Sequence, residues 1–298
     1  MKHWHLLLAL LTFNVTLMGA SYTMIMPFLP VYILELGASP AEVNLWSGAI
    51  YGSTFAVCAV MAPVWGRLSD RFGLKPMFVR AGFLMATTYF LSSLVTSPLQ
   101  LLLARVLQGF SAGMWPAALG ILSRCLPPQR LGLGMGLMQS AHVLGAVLGP
   151  LLGGVLAEQF GIRFSYRLGF AFYLGVTLLS LAVLANPPPE KTRGVQTGFK
   201  SLLKTRGILP ALWCALCANL AIMMLQPVLT LYVGQLLGTE SAHHMSIAGF
   251  IFSLAGIAGV VAAPVWGPLG QRRGFGRTLS AGMLIAGVFT LGQALPLS

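Results

Sequence analysis

The sequence predicts an all-α fold, a polytopic bundle of transmembrane helices, and three observations predict it. Mean hydropathy is +0.82 with only 8% charged residues, about a third of what a water-facing surface carries. Apolar runs recur along the chain, each close to the roughly 20 residues that cross a bilayer as a helix. A block beginning Ala62-Pro-Val-Trp-Gly-Arg-Leu-Ser-Asp-Arg-Phe-Gly returns 201 positions later as Ala263-Pro-Val-Trp-Gly-Pro-Leu-Gly-Gln-Arg-Arg-Gly. Two short basic loops, each between apolar runs, mark internal duplication of a membrane bundle.

Nine spans are expected, at roughly 6–34, 43–65, 77–97, 99–123, 131–157, 165–186, 208–236, 245–267 and 278–296. The first begins with Met-Lys-His-Trp-His like a secretory leader, but its apolar stretch runs on to about Leu34, too long for one. It also contains Pro27-Phe-Leu-Pro-Val-Tyr32, which aligns with Pro227-Val-Leu-Thr-Leu-Tyr232 in the second half. Residues 1–187 are expected to form a six-helix bundle. Residues 188–207, basic and opening on two prolines, form a linker, and 208–298 supply the first three helices of a second bundle.

The net charge of +12 is explained by topology. With the N-terminus cytoplasmic, fifteen of the 18 Lys and Arg residues fall on the inner side, only Arg163 and Arg167 on the outer side, and Arg105 within a span. That split obeys the positive-inside rule and removes the case for a nucleic-acid surface. The expected partner is the lipid bilayer; the oligomeric state is not legible. The sequence carries no metal-ligand cluster, catalytic triad or phosphate loop, so no enzymatic activity, metal or cofactor is expected. Cys214-x-x-Cys217 has redox spacing but sits in an apolar run without a second ligand pair, which favours packing.

Three segments carry the chemistry. In the loop after the second span, Gly66 and Gly73 permit a tight turn, while Asp70 is placed to cap a helix or pair with Arg71, near Lys75. In the fourth span, Arg105, Gln108 and Trp115 are expected along one helical stripe. A guanidinium there either faces the interior or snorkels outward, and both readings stay open. The fifth span holds Gly136, Gly145, Gly149-Pro150 and Gly153-Gly154. Glycines at that density let backbones touch and Pro150 is expected to bend the helix, which suits a sliding contact between two halves. His142 lies near the midplane of the same span. An unperturbed imidazole titrates near neutrality, and this one serves either proton coupling or a structural hydrogen bond to Gln139 or a carbonyl.

These motifs resemble those of the major facilitator superfamily. Gly66-x-Leu-x-Asp70-Arg71-x-Gly73-x-Lys75 resembles the signature between its second and third helices, although Leu74 stands where Arg is usual and Gln271 replaces the Asp in the second copy. Arg105-x-x-Gln108-Gly109 resembles a second motif, and the fifth span resembles, glycine for glycine, the antiporter motif of drug/proton exporters. Met26-Pro-Phe-Leu-Pro-Val-Tyr32 resembles the bacterial multidrug-resistance branch. The resemblance implies twelve spans, so a complete second half would run to about residue 390–400. It implies a proton-driven exporter of amphipathic compounds in the bacterial inner membrane, in which Asp70 locks the cytoplasmic side. The alternatives are a metabolite or sugar-derivative exporter of the same fold, or a fragment that does not transport. Polar or aromatic residues available to line a central cavity are Asn14, Tyr22, Gln108 and Trp115, with Gln139, Asn219 and Gln226.

Overall fold

The computed structural model describes residues 4–127, 130–184, 208–237 and 244–293. The expected linker at 188–207 lies outside them. The described residues are helical, with no strand among them. The first span is two helices, α1 (Trp4–Ile25) and α2 (Leu29–Glu35), joined by a 3-10 turn at Met26–Phe28. Pro27 and Pro30 cause the break, because neither offers an N–H to the helical ladder. Then follow α3 (Val43–Phe72), α4 (Leu74–Leu94), α5 (Pro98–Gly109), α6 (Met114–Cys125), α7 (Leu131–Phe160) and α8 (Ile162–Val183). Beyond the linker come α9 (Ile208–Leu237), α10 (His244–Arg273) and α11 (Phe275–Gln293).

Among the described residues, five segments are long and apolar enough to cross a membrane: 5–35, 43–72, 74–94, 133–160 and 162–183. The expected fourth span is not one helix. It divides into α5 and α6, of 12 residues each. The α5 start is set by Ser97, whose side chain accepts the Gln100 N–H ahead of Pro98. Its end at Gly109 is followed by Gly113, at φ +109°, a conformation that only glycine adopts freely.

One local unit recurs. A 30-residue helix ends on a single left-handed glycine and the next helix starts at once: α3–Gly73–α4, α7–Gly161–α8 and α10–Gly274–α11, with φ of 94°, 80° and 88°. This corrects the position of the expected signature loop. Asp70 and Arg71 lie exposed in the last turn of α3, Lys75 lies in the first turn of α4, and only Gly73 forms the turn. The N-cap of α4 is Gly73 with no side-chain hydrogen bond, so Asp70 does not cap it.

By contacts the chain divides into two compact units, one of Met1–Gly194 with Leu225–Ser253 and the other of Val195–Met224 with Leu254–Ser298. In the first, α1 packs chiefly on α7, α4 on α8, and α3 on α5. Lipid gives no hydrophobic drive for such pairing, so close packing and hydrogen bonds must supply it. Both are visible. A Cβ at Gly82 of α4 would strike Thr177 of α8, and one at Gly169 of α8 would strike the Tyr89 ring. Buried tyrosine hydroxyls brace the helices by donating to backbone carbonyls: Tyr32 to Ser92 at 2.8 Å, Tyr89 to Ser21 at 3.0 Å and Tyr173 to Met18 at 3.1 Å. In the second unit Trp213, Leu216 and Leu220 of α9 and Leu284 and Val288 of α11 are exposed, as expected of surfaces that meet lipid.

Candidate functional site

The glycines of α7 face two ways. A Cβ at Gly145 or Gly149 would come closer than 3.0 Å to backbone atoms of Thr16 and Ala20, and one at Gly153 would strike Met24, all on α1 or its C-terminal turn. Reciprocally, a Cβ at Gly19 would meet the His142 carbonyl at 2.9 Å. Residues 145, 149 and 153 recur every four positions and so share one stripe. That stripe joins two helices of the first six, which corrects the expectation that the whole motif serves a contact between halves. Gly154 and Pro150 lie on the adjoining stripe and meet α10: a Cβ at Gly154 would lie 2.5 Å from the Met245 carbonyl, and one at Gly249 would strike the Pro150 carbonyl. Gly136 is exposed with nothing near its missing Cβ. Pro150 lies inside one continuous helix, Leu131–Phe160.

Arg105 is buried, 4% exposed. The interior reading therefore holds over snorkelling. Its Nη1 donates to Gln108 Oε1 at 2.9 Å and its Nη2 to Tyr166 Oη at 2.7 Å. Both partners are neutral. Burying the guanidinium in the span is costly by about 3 kcal/mol on insertion scales, and charge-assisted hydrogen bonds offset it. The Tyr166 ring in turn packs at an angle on Tyr32 and edge-on to Tyr89, with ring centroids 5.3 Å and 5.8 Å apart.

Trp115 does not share the stripe of Arg105 and Gln108. The break at residues 110–113 gives it to α6, where its ring lies 4.8 Å from that of His142. Arg80 of α4 holds this break. Its guanidinium donates to the carbonyls of Phe110 at 3.1 Å and Ala112 at 2.8 Å, and lies 3.5 Å from the centre of the Trp65 ring. Those carbonyls have left the helical ladder, and in a span they need another donor. On the other side, Gly109 brings α5 against Thr54 and Val57 of α3.

The remaining expected cavity residues scatter. Asn14 is buried, and its Nδ2 donates to Ser180 Oγ at 2.7 Å, tying α1 to α8. Tyr22 is half-buried, while Gln139 is exposed, so it does not serve His142 from the interior. Asn219 is exposed on α9, in the second unit, and the Gln226 side chain lies outside the described residues. Two pairs are thus brought together, Arg105 with Gln108 and Trp115 with His142. Sequence reasoning missed Tyr166, Arg80 and the helix break. Only the break left a signal, Gly109, Gly113 and Pro116 within one apolar run.

This arrangement of helices is found in solved transporters. The chain superposes on the nucleoside transporter NupG with a TM-score of 0.70 at 18% identity, covering 90% of this chain and 68% of that one. It superposes on a bacterial homolog of the human lysosomal transporter Spinster with a TM-score of 0.72 at 19% identity, covering 91% and 64%. The profile of the Major Facilitator Superfamily matches residues 11–298. The chain belongs to that superfamily. Within it, the Multidrug resistance protein MdtG of Proteus mirabilis (strain HI4320) is 34% identical over 98% of this chain and 72% of its own length. The Uncharacterized MFS-type transporter YuxJ of Bacillus subtilis (strain 168) is likewise 34% identical, over 93% of this chain and 72% of its own length. The superfamily is one of multi-pass membrane transporters, not enzymes, and the five apolar segments agree with it.

Proposed function

We propose that the protein is a proton-driven exporter of amphipathic compounds, working by alternating access in a bacterial inner membrane with its N-terminus cytoplasmic. The observation that carries the reading is the α7 glycine motif, laid backbone to backbone on α1 and on α10, in a chain so similar to a multidrug resistance protein. Contacts made of glycine and carbonyl have no interlocking side chains to unpick, so helices can part and re-form there at low cost. Weakly polar and aromatic groups, Trp115 and His142 among them, suit varied lipophilic substrates through adaptable packing. Asp70, Arg71 and Lys75 act as the cytoplasmic lock, and Arg105 and His142 are the coupling candidates.

Two experiments test this reading. Orientation is checked by thiol labelling of intact cells, with the native cysteines replaced. Cysteine at Ser39, exposed between α2 and α3, should react with an impermeant reagent, and cysteine at Phe72, exposed at the end of α3, should not. The reverse pattern overturns the topology. Coupling is checked by His142→Gln, which keeps a hydrogen-bonding side chain but cannot titrate. Exchange of a lipophilic dye should survive while accumulation driven by a pH gradient collapses. Full gradient-driven efflux in that variant would move the coupling role elsewhere.

A further inference from the structure

The second stripe of α7 meets α10 over about three turns of α7. Ser253 Oγ donates to the Val147 carbonyl at 2.6 Å, Gly249 rests on the Pro150 carbonyl, and Gly154 rests on Met245. At the end of the row, Ser246 donates twice to Glu158, from its backbone N–H to Oε1 at 2.8 Å and from its Oγ to Oε2 at 2.6 Å. Numbers fall along α7 as they rise along α10, so the helices run antiparallel. Ser246 lies in the first turn of α10, which starts at His244. Its N–H is one of the four that a helix cannot satisfy for itself, and the positive end of the helix dipole favours a carboxylate there. Glu158 therefore caps α10 from another helix, 88 residues away in the chain.

A cap supplied by a helix's own sequence stabilises that helix in every state. One supplied across a contact is lost whenever the contact opens. Its free energy then enters the equilibrium between closed and open arrangements, not folding alone. The rest of the row is glycine, serine and carbonyl, which gives close approach and little grip. We propose that Glu158 is a positioning residue of the transport cycle, holding the start of α10 against the end of α7 and setting how much of the population keeps that end closed. The inference rests on the alternating-access reading above.

The test uses spin labels on the intact chain, with Cys58, Cys125, Cys214 and Cys217 replaced. Labels at Val155 of α7 and Phe250 of α10, both exposed, report the separation by pulsed electron resonance. The parent should show mainly one short distance. Glu158→Ala should raise the longer-distance population about three- to tenfold, the range a helix cap supports. Glu158→Gln, which keeps an acceptor oxygen but no charge, should shift it less and in the same direction. Ser246→Ala added to Glu158→Ala should change little, because the two side chains share one interaction. Should the alanine variant fail to insert, Glu158→Gln and Ser246→Ala decide. Unmoved distances, or effects of Glu158 and Ser246 that simply add, overturn the proposal. A chain that exports no dye yet shows the shift would fail the exporter reading and leave this one standing.

Discussion

Gly149→Leu should leave almost no folded protein in the membrane, while Gly136→Leu in the same helix should be recovered at the parent's level. The difference is geometric. At Gly149 a Cβ alone would lie 2.6 Å from the Ala20 carbonyl and strike the Thr23 hydroxyl. The carbonyl is backbone, so no rotamer change on α1 relieves the clash. Overpacking in a well-packed core costs about 1–3 kcal/mol where side chains can yield, and here the helices themselves must separate. Separation would also strain the neighbouring approaches at Gly145 and Gly153. Gly136 has nothing within reach, and substitution at such a site stays within about 0.5 kcal/mol. Recovery after detergent extraction and thermal midpoint measure both. Equal recovery of the two variants would mean that α1 and α7 do not meet as described. Gly145→Ala should fall between them, its methyl group meeting the Thr16 carbonyl.

The spacing of this motif carried more information than its glycine content. Residues 145, 149 and 153 on one stripe, and 150 and 154 about 100° away, already imply two partners for one helix. Which partners they are depends on helices far apart in sequence. The α3–α4 turn was legible to within a few residues, because Gly73 after a basic stretch marks it, although α3 outruns the expected loop and carries Asp70 with it. The division of the fourth span was not read, since its apolar pattern continues through Phe110 and Gly113. What stabilises the break is Arg80, 30 residues earlier on α4, which the sequence presents only as one more inner-side positive charge. Glu158 lies at a span's end, and that position is what lets it reach the start of α10. Hydropathy and spacing locate elements and faces; the partner of a lone polar residue is set by tertiary packing.

Arg105 separates stability from function, and its two obvious substitutions should rank in opposite order by the two measures. Tyr166→Phe leaves the guanidinium buried and removes one of its two partners. A hydrogen bond to a charged group is worth about 1.5–3 kcal/mol, and its loss inside a span is not made good by water. Arg105→Leu removes the charge as well as its bonds. The insertion cost of about 3 kcal/mol disappears, which offsets the polar groups stranded on Gln108 and Tyr166. An apolar side chain of similar bulk in place of a buried charge is often close to neutral for stability. Tyr166→Phe should therefore lower the thermal midpoint more than Arg105→Leu does. Adding Tyr166→Phe to Arg105→Leu should cost little further, because the bond is already gone. Efflux should show the reverse, surviving in part in Tyr166→Phe, where the cation persists, and vanishing in Arg105→Leu. Should Arg105→Leu export dye at the parent's rate, the charge belongs to the architecture of α5 alone, and the coupling role passes to His142.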